Sequence, residues 1–206
     1  MVAFVEPVVV IACGALAREI LAIKAINGLE HVELRCLPAS LHNRPEQIPA
    51  RVEAAIVKAR RTTSRILVAY GDCGTGGELD RVLTRQGVER IAGPHCYSFF
   101  SGNDQFARQS EEEFTAFYLT DFLTRQFRTL VVKPLGLDRH PELRDLYFGH
   151  YEKVVYLVQV PDPGLMKAAE RAARTLGLPL EIRHTGYGEL ATFLTHASAV
   201  PEVLTW

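Results

Sequence analysis

Three cysteines follow segments that have the pattern of buried β-strands. Cys13 closes the apolar run PVVVIAC, Cys73 follows ILVAYGD, and Cys96 follows RIAGPH. In a parallel sheet the carboxyl ends of neighbouring strands lie at one edge, where ligand crevices form. Thiolates are soft ligands that favour zinc, iron–sulfur clusters or copper(I). The three cysteines therefore predict a metal site assembled by the fold, with zinc as the first expectation and an iron–sulfur cluster as the second.

Two histidines accompany these cysteines. His95 directly precedes Cys96, and His42 lies in the loop LPASLHNRP after the second predicted strand. Either histidine is a candidate for the fourth ligand or for a neighbour of the site. The chain has no C-x-x-C pair of the kind typical of structural zinc sites. Three protein ligands with an open fourth position would instead allow a bound thiol or water to be activated.

A glycine-rich turn surrounds Cys73 between a predicted strand and a predicted helix. Its glycines are Gly71, Gly74, Gly76 and Gly77. Backbone N–H groups at the start of a helix bind anions, so this turn is a candidate cofactor- or phosphate-binding site. It lacks the lysine of a P-loop. An S-adenosylmethionine-dependent methyltransferase is one alternative, and a tight turn that only admits Cys73 is another.

The cysteines also have plainer interpretations. Free cysteine is often a small buried hydrophobe, and this is the prediction for Cys36 inside the strand VELRCL. The glycines that follow Cys13 and Cys73 favour close approach of a ligand, which core packing does not require. A redox use stays open, because a thiol at a helix N-terminus can have a lowered pKa.

Strand-like and helical segments alternate along the chain, which predicts an α/β fold with a mainly parallel sheet flanked by helices. The first series has strands at 7–13, 32–37, 65–70 and 89–92, and helices at 15–26, 51–60 and 78–86. The second has a helix at 111–125, strands at 129–133, 154–158 and 180–184, and helices at 165–176 and 189–196. We expect a single domain over 1–206, or two Rossmann-like lobes, 1–105 and 126–206, joined by the helix at 111–125.

The composition limits the classes of partner. With 23 Lys and Arg residues against 24 Asp and Glu residues, the formal net charge is −1. This balance gives no reason to expect a nucleic-acid or anionic-membrane partner. No run approaches the roughly 20 apolar residues of a membrane span. We therefore expect a cytoplasmic protein, in which cysteines are metal-binding or catalytic more often than cross-linked.

The motifs already described carry a family resemblance. Cys13-Gly14-Ala15-Leu16, the segment from Tyr70 to Gly77, and His95-Cys96 resemble those of a bacterial and archaeal family of unknown function. Members of that family are often encoded near corrinoid-dependent methyltransferases. The resemblance implies that the three cysteine motifs recur together. It also implies a link to one-carbon or corrinoid methyl transfer, with a protein of that system as partner. The sequence does not decide between an enzyme and an accessory module that carries a metal or cofactor.

Overall fold

The computed structural model of the chain describes residues 7–112 and 115–197. Within this part, residues 7–99 and 187–197 form one compact unit, and the described residues of 100–186 form a second. Each unit contains a parallel β-sheet accompanied by helices, which confirms the predicted α/β class. None of the described helices is both long and apolar enough to cross a membrane.

The first unit contains a four-stranded sheet in the order β2-β1-β3-β4. The strands are β1 (Val8–Cys13), β2 (Val32–Leu37), β3 (Arg65–Ala69) and β4 (Glu89–Arg90). Every neighbouring pair is parallel. The carboxyl ends of all four strands therefore lie at the same edge of the sheet.

Helices alternate with the strands along the chain. They are α1 (Ala17–Ile26), α2 (Ile48–Ala59), α3 (Glu78–Gln86), α4 (Cys96–Ser101), α5 (Asn103–Glu112), α6 (Asp121–Phe127), α7 (Leu143–Phe148), α8 (Pro163–Leu176) and α9 (Gly188–Ala197). The predicted helix at 189–196 is confirmed as α9.

The central strand β1 explains why this sheet forms. All five residues from Val8 to Ala12 are fully buried. Four of them are β-branched, and such side chains pack well on a pleated surface that is covered on both faces. On one face Val9 and Ile11 lie in a cluster with Val52 and Ile56 of α2. Burial of each of these side chains contributes about 1.5–3 kcal/mol, so this core holds the strand ends in fixed positions.

The second unit contains a three-stranded parallel sheet in the order β5-β6-β7. Its strands are β5 (Ala116–Leu119), β6 (Lys153–Val158) and β7 (Leu180–His184). The central strand is again the most apolar, with Val154–Val158 buried. Small residues of α8, including Ala169 and Ala173, belong to the same core cluster as this strand.

A buried carboxylate connects the ends of β5 and β6. Asp121 is only 1% exposed. Its Oδ1 accepts hydrogen bonds from the Tyr156 hydroxyl at 2.8 Å and the Gln159 amide at 3.2 Å, and its Oδ2 accepts one from the Val160 amide at 3.2 Å. Burial and this hydrogen bond raise the pKa of Tyr156 above its usual range, so the hydroxyl keeps its proton and donates. These hydrogen bonds link the ends of the neighbouring strands β5 and β6.

The predicted helix at 111–125 is wrong. Within the described part of this range, α5 ends at Glu112, residues 116–119 form β5, and α6 begins only at Asp121. Residues 113 and 114 lie outside the described part. The Thr120 side chain accepts a hydrogen bond from the Leu123 amide and so starts α6 after the strand. Three of the apolar residues that favoured a helix, Phe117, Tyr118 and Leu119, belong instead to β5, which pairs with β6.

The predicted strand at 129–133 is also wrong. Residues Arg128–Val132 form a π-helical turn that continues directly from α6. The Lys133 amide donates to the Arg128 carbonyl at 2.9 Å, which closes the wide turn. The β-branched residues here favour a strand only in isolation. The preceding helix determines the backbone, and Val131 still becomes buried.

Candidate functional site

The first sheet brings the three predicted cysteine ligands to one edge. Cys13 is the last residue of β1, Cys73 lies in the loop after β3, and Cys96 begins α4 shortly after β4. In the sheet order, β1 neighbours β3 and β3 neighbours β4. We refer to Cys13, Cys73 and Cys96 as the thiol cluster.

The loop that carries Cys73 lies directly against the loop that carries Cys96. The Asp72 amide donates to the Gly93 carbonyl at 3.2 Å, and the Cys73 amide donates to the Pro94 carbonyl at 2.9 Å. A Cβ atom at Gly71 would lie 3.0 Å from the His95 Cα, which is tighter than nine in ten real Cβ contacts. Gly71 therefore favours the close approach of the two loops, because any larger residue would push the His95 backbone away.

Gly14 has the same role beside Cys13. A Cβ atom there would lie 3.0 Å from the Leu37 carbonyl oxygen and 3.4 Å from the Ala39 nitrogen. The glycine admits the loop after β2, so the space next to Cys13-Gly14 is filled by protein. The sequence pattern favours close approach of a ligand at Gly14 and Gly74, whereas close approach of the chain itself accounts for Gly14.

Cys73 itself has an unusual backbone. Its φ is +51°, and it is the one residue other than glycine with a positive φ in the described part of the chain. A side chain in the left-handed region costs about 1–2 kcal/mol, and glycine avoids that cost. Glycine follows at position 74, yet a cysteine holds this position. Retained strain of this kind is typical of functional sites.

The three thiols interact electrostatically with one another. Burial raises the pKa of Cys73 to about 11, and the charge of Cys13 adds to the shift. The pKa of Cys96 is raised well above its ordinary value. Burial is the largest cause, and the charges of Cys73 and Cys13 raise the pKa further. Burial likewise raises the pKa of Cys13, although the Ala15 amide and the neighbouring Tyr70 hydroxyl oppose it. The thiols are thus neighbours, and each is protonated at neutral pH.

These pKa directions bear on the reactive-thiol interpretation. Cys96 begins helix α4, where a lowered pKa would make it a nucleophile or a redox centre. Its pKa is raised instead, because burial and the charges of Cys73 and Cys13 outweigh the opposing hydrogen bond from its own backbone amide. Free thiols in this cluster are poor nucleophiles at neutral pH.

The two candidate histidines lie near each other and near the cluster. His42 belongs to a 3-10 turn at Ala39–Asn43 and is exposed, yet enough protein surrounds the ring for desolvation to lower its pKa, with the charge of His95 as a second cause. Burial lowers the pKa of His95, against an opposing effect of Asp72. Both imidazoles are therefore neutral at pH 7, the form in which histidine binds metals. Among the described residues, no group of three or more His, Cys, Asp or Glu side chains is arranged to hold a metal ion.

Two residues beside the cluster were not among the predicted site residues. Tyr70 is 2% exposed, and its hydroxyl is buried beside the Cys13 thiol without a well-aligned hydrogen bond to any described residue. Burial, and then the charge of Cys13, raise the pKa of Tyr70 above its usual range. Glu19 of α1 is 4% exposed and close enough to Cys96 for its charge to raise the pKa of that thiol further. The sequence signal that could have identified Tyr70 is its position as a polar aromatic residue at the end of the apolar run RILVAY.

Cys36 differs from the prediction that it is a core residue. It is exposed on β2, which is an edge strand of the sheet. Edge strands are covered less completely than central ones, and periodicity alone does not identify the edge. Burial, and then the charge of Cys13, raise the pKa of Cys36. This fourth cysteine is therefore a nearby neighbour of the thiol cluster.

The amides of the glycine-rich turn serve a carboxylate of their own chain. Asp72 Oδ1 accepts from the Thr75 hydroxyl at 2.6 Å and the Gly77 amide at 2.9 Å, and Oδ2 accepts from the Gly76 amide at 3.2 Å. Burial alone would raise the pKa of Asp72, but the bonds from Thr75 and the glycine amides lower it overall. A phosphate or nucleotide at this turn would have to displace the Asp72 carboxylate. Gly74 instead packs toward a neighbouring loop, where its Cβ position lies 3.6 Å from Pro45 Cβ.

The fold and the site together define the class: an α/β protein whose parallel sheet carries a cluster of protonated thiols at its carboxyl edge. The chain belongs to a family of proteins of unknown function, DUF1638, whose profile matches residues 36–194. Membership of a family of unknown function, expected from the motifs, is confirmed. The matched range includes Cys73 and Cys96 and begins after Cys13. Comparison with curated proteins and with solved structures gave no match.

Proposed function

We propose that the protein binds one thiophilic metal ion, zinc in the first place, through Cys13, Cys73 and Cys96. His42 or His95 supplies the fourth ligand or a hydrogen bond to the site. The observation that supports this is the convergence of three thiols at neighbouring strand ends, where each thiol is close enough to change the titration of another.

The chemistry of the donor set fits a soft metal. Three sulfur donors and a neutral imidazole are ligands that zinc prefers over magnesium or calcium. Without a metal the three thiols are protonated and unreactive, because burial raises their pKa values. On metal binding they would give up their protons, so the affinity rises with pH. The raised pKa values that argue against free nucleophilic thiols are therefore compatible with a ligand role.

The backbone supports the same proposal. Cys73 keeps a left-handed conformation in which a glycine would be less strained. The contacts at Gly71 and Gly14 fix the loops of Cys73 and Cys13 against neighbouring loops. Positions held in this way are typical of a ligand set built into the fold.

The fourth position decides what the centre does. Three thiolates and a histidine would close the site, as in structural zinc centres. Three thiolates alone would leave a position at which a substrate thiol or water could be activated. In keeping with the family resemblance, we include a thiol substrate in one-carbon or corrinoid methyl transfer in the proposal. An accessory role in metal or cofactor transfer to a protein of that system is the alternative.

Metal analysis of anaerobically purified protein tests the proposal. We expect about one zinc ion per chain in the wild type and a large loss of zinc in Cys73→Ser. Cys36→Ser is the matched control, because Cys36 is a cysteine close to Cys13 that lies outside the proposed set. That variant should keep its zinc. Wild-type protein without near-stoichiometric metal, also after incubation with zinc, would refute the proposal. Equal zinc in the wild type and Cys73→Ser would refute the ligand set.

A further inference from the structure

A cavity of about 550 Å³ is lined in part by Leu37, the partner of Cys13 in the β1–β2 register, and has no role in the proposed metal centre. It is formed by the loop after β2 and the first turn of α2. Its polar lining consists of Ser40, Asn43, Arg44, Gln47 and Arg51. Small-molecule sites typically have volumes of about 300–1,000 Å³, so this cavity suits a small ligand.

The charge of the lining is uniformly favourable to an anion. The two guanidinium groups are the only charged groups among the described lining residues, and no carboxylate lines the cavity. Neither Arg44 nor Arg51 makes a side-chain hydrogen bond or ion pair within the described part of the chain. Arg35 and Arg90, by contrast, hold the carboxylates of Glu33 and Asp80. Arg44 and Arg51 are thus available for an external partner.

The neutral polar side chains of the lining likewise have no hydrogen-bond partner among the described residues. The side chains of Ser40, Asn43 and Gln47 also make no hydrogen bond to any described residue. Their hydroxyl and amide groups can donate to oxygen, and a guanidinium binds carboxylate or phosphate through paired N–H bonds. Five such side chains around one cavity, none with a partner among the described residues, form a recognition surface for an oxyanion.

We propose that this cavity binds the carboxylate or phosphate group of a small molecule through Arg44 and Arg51. The loop that forms the cavity also contacts the loops that carry Cys13 and Cys73. Leu37 and Ala39 lie against Gly14, and Pro45 lies against Gly74. A ligand held by its oxyanion would therefore have its remaining atoms next to the region of the thiol cluster. The oxyanion site does not depend on the metal, so its success or failure is separable from that of the proposed function.

Calorimetric titration with inorganic phosphate and, separately, with succinate tests this inference. The titrations are run at constant ionic strength, with sodium chloride as the reference salt, on zinc-loaded and on chelator-treated protein. We expect saturable binding of at least one of the two anions in both preparations. The anion that binds more tightly distinguishes a phosphate ligand from a carboxylate ligand.

Three variants assign the binding to the cavity. Arg44→Ala and Arg51→Ala should each weaken binding about tenfold to a hundredfold, because each loses a charged hydrogen-bond donor. Arg61→Ala is the matched control: Arg61 is likewise an exposed arginine and does not line the cavity. It should leave the affinity unchanged. Both lining arginines are exposed, so circular dichroism should show a retained fold. Absence of saturable binding of either anion, or equal weakening by Arg61→Ala, would overturn the inference.

Discussion

Substitution of Cys73 by glycine and by alanine gives a direct measure of the strain at the thiol cluster. Both variants lack the sulfur, so the difference between them reports the backbone at φ +51°. Relief of left-handed strain favours glycine by about 1–2 kcal/mol. The greater freedom of glycine in the unfolded chain opposes this by about 0.4–1 kcal/mol. Cys73→Gly should therefore be more stable than Cys73→Ala by about 0.8 kcal/mol.

Cys13 supplies the control pair, because its φ of −62° and ψ of 135° are ordinary extended values. There the order should reverse, with Cys13→Ala more stable than Cys13→Gly by about 0.4–1 kcal/mol. Urea unfolding with reductant and chelator, followed by circular dichroism, measures both pairs. At a slope of about 2 kcal/mol per molar urea, the Cys73 pair should differ by roughly 0.4 M in midpoint. If Cys73→Ala is as stable as Cys73→Gly, the left-handed backbone and the strain argument are wrong.

Three further substitutions test other parts of the structure. Gly71→Ala places a Cβ 3.0 Å from the His95 Cα and should cost about 1–3 kcal/mol in thermal unfolding; an unchanged melting temperature would contradict the loop contact. Asp72→Asn removes the ionised acceptor of the glycine-rich turn, at a cost of about 1 kcal/mol at pH 7. Because the folded-state pKa of Asp72 is lowered, its stabilisation is present above about pH 4 and is lost as the pH falls through that pKa. Urea unfolding from pH 6 to pH 2 should therefore show a flatter profile for Asp72→Asn than for wild type, and parallel profiles would count against the bonds. Asp121→Ala leaves the Tyr156 hydroxyl without its acceptor and should cost about 3 kcal/mol or more in urea unfolding, whereas a loss below about 1 kcal/mol would show that the buried network contributes little.

The alternation of strands and helices was readable from the sequence where elements are long or continuously apolar. β1 and β6 are central strands buried over nearly their whole length, so their β-branched runs are unambiguous. The short strand β5 was missed because four apolar residues between two helices have no periodicity that separates a strand from a helix. Its pairing with β6, a long-range contact, decides its conformation.

The placement of the thiol cluster followed from one physical rule, that parallel strands end at the same edge. The rule needs no side-chain detail, so Cys13, Cys73 and Cys96 were identified together. This rule does not predict how other side chains pack around the three cysteines. The burial of Tyr70 beside Cys13 depends on how side chains pack at the strand ends. The exposure of Cys36 depends on β2 being an edge strand.

The glycine-rich turn shows a different limit. Glycine spacing indicated a turn whose amides point at an anion, and the structure contains such a turn. The anion is Asp72, which the sequence places inside the same motif. An acidic residue next to anion-binding amides can satisfy them itself, and spacing alone does not separate that arrangement from a ligand site.

X-ray absorption at the zinc edge tests the central claim most directly, because it counts the atoms bound to the metal. The sample is wild-type protein loaded with zinc under anaerobic conditions. The account predicts three sulfur atoms at about 2.3 Å and a nitrogen or oxygen atom at about 2.0–2.1 Å. A first shell made only of nitrogen and oxygen atoms would contradict it.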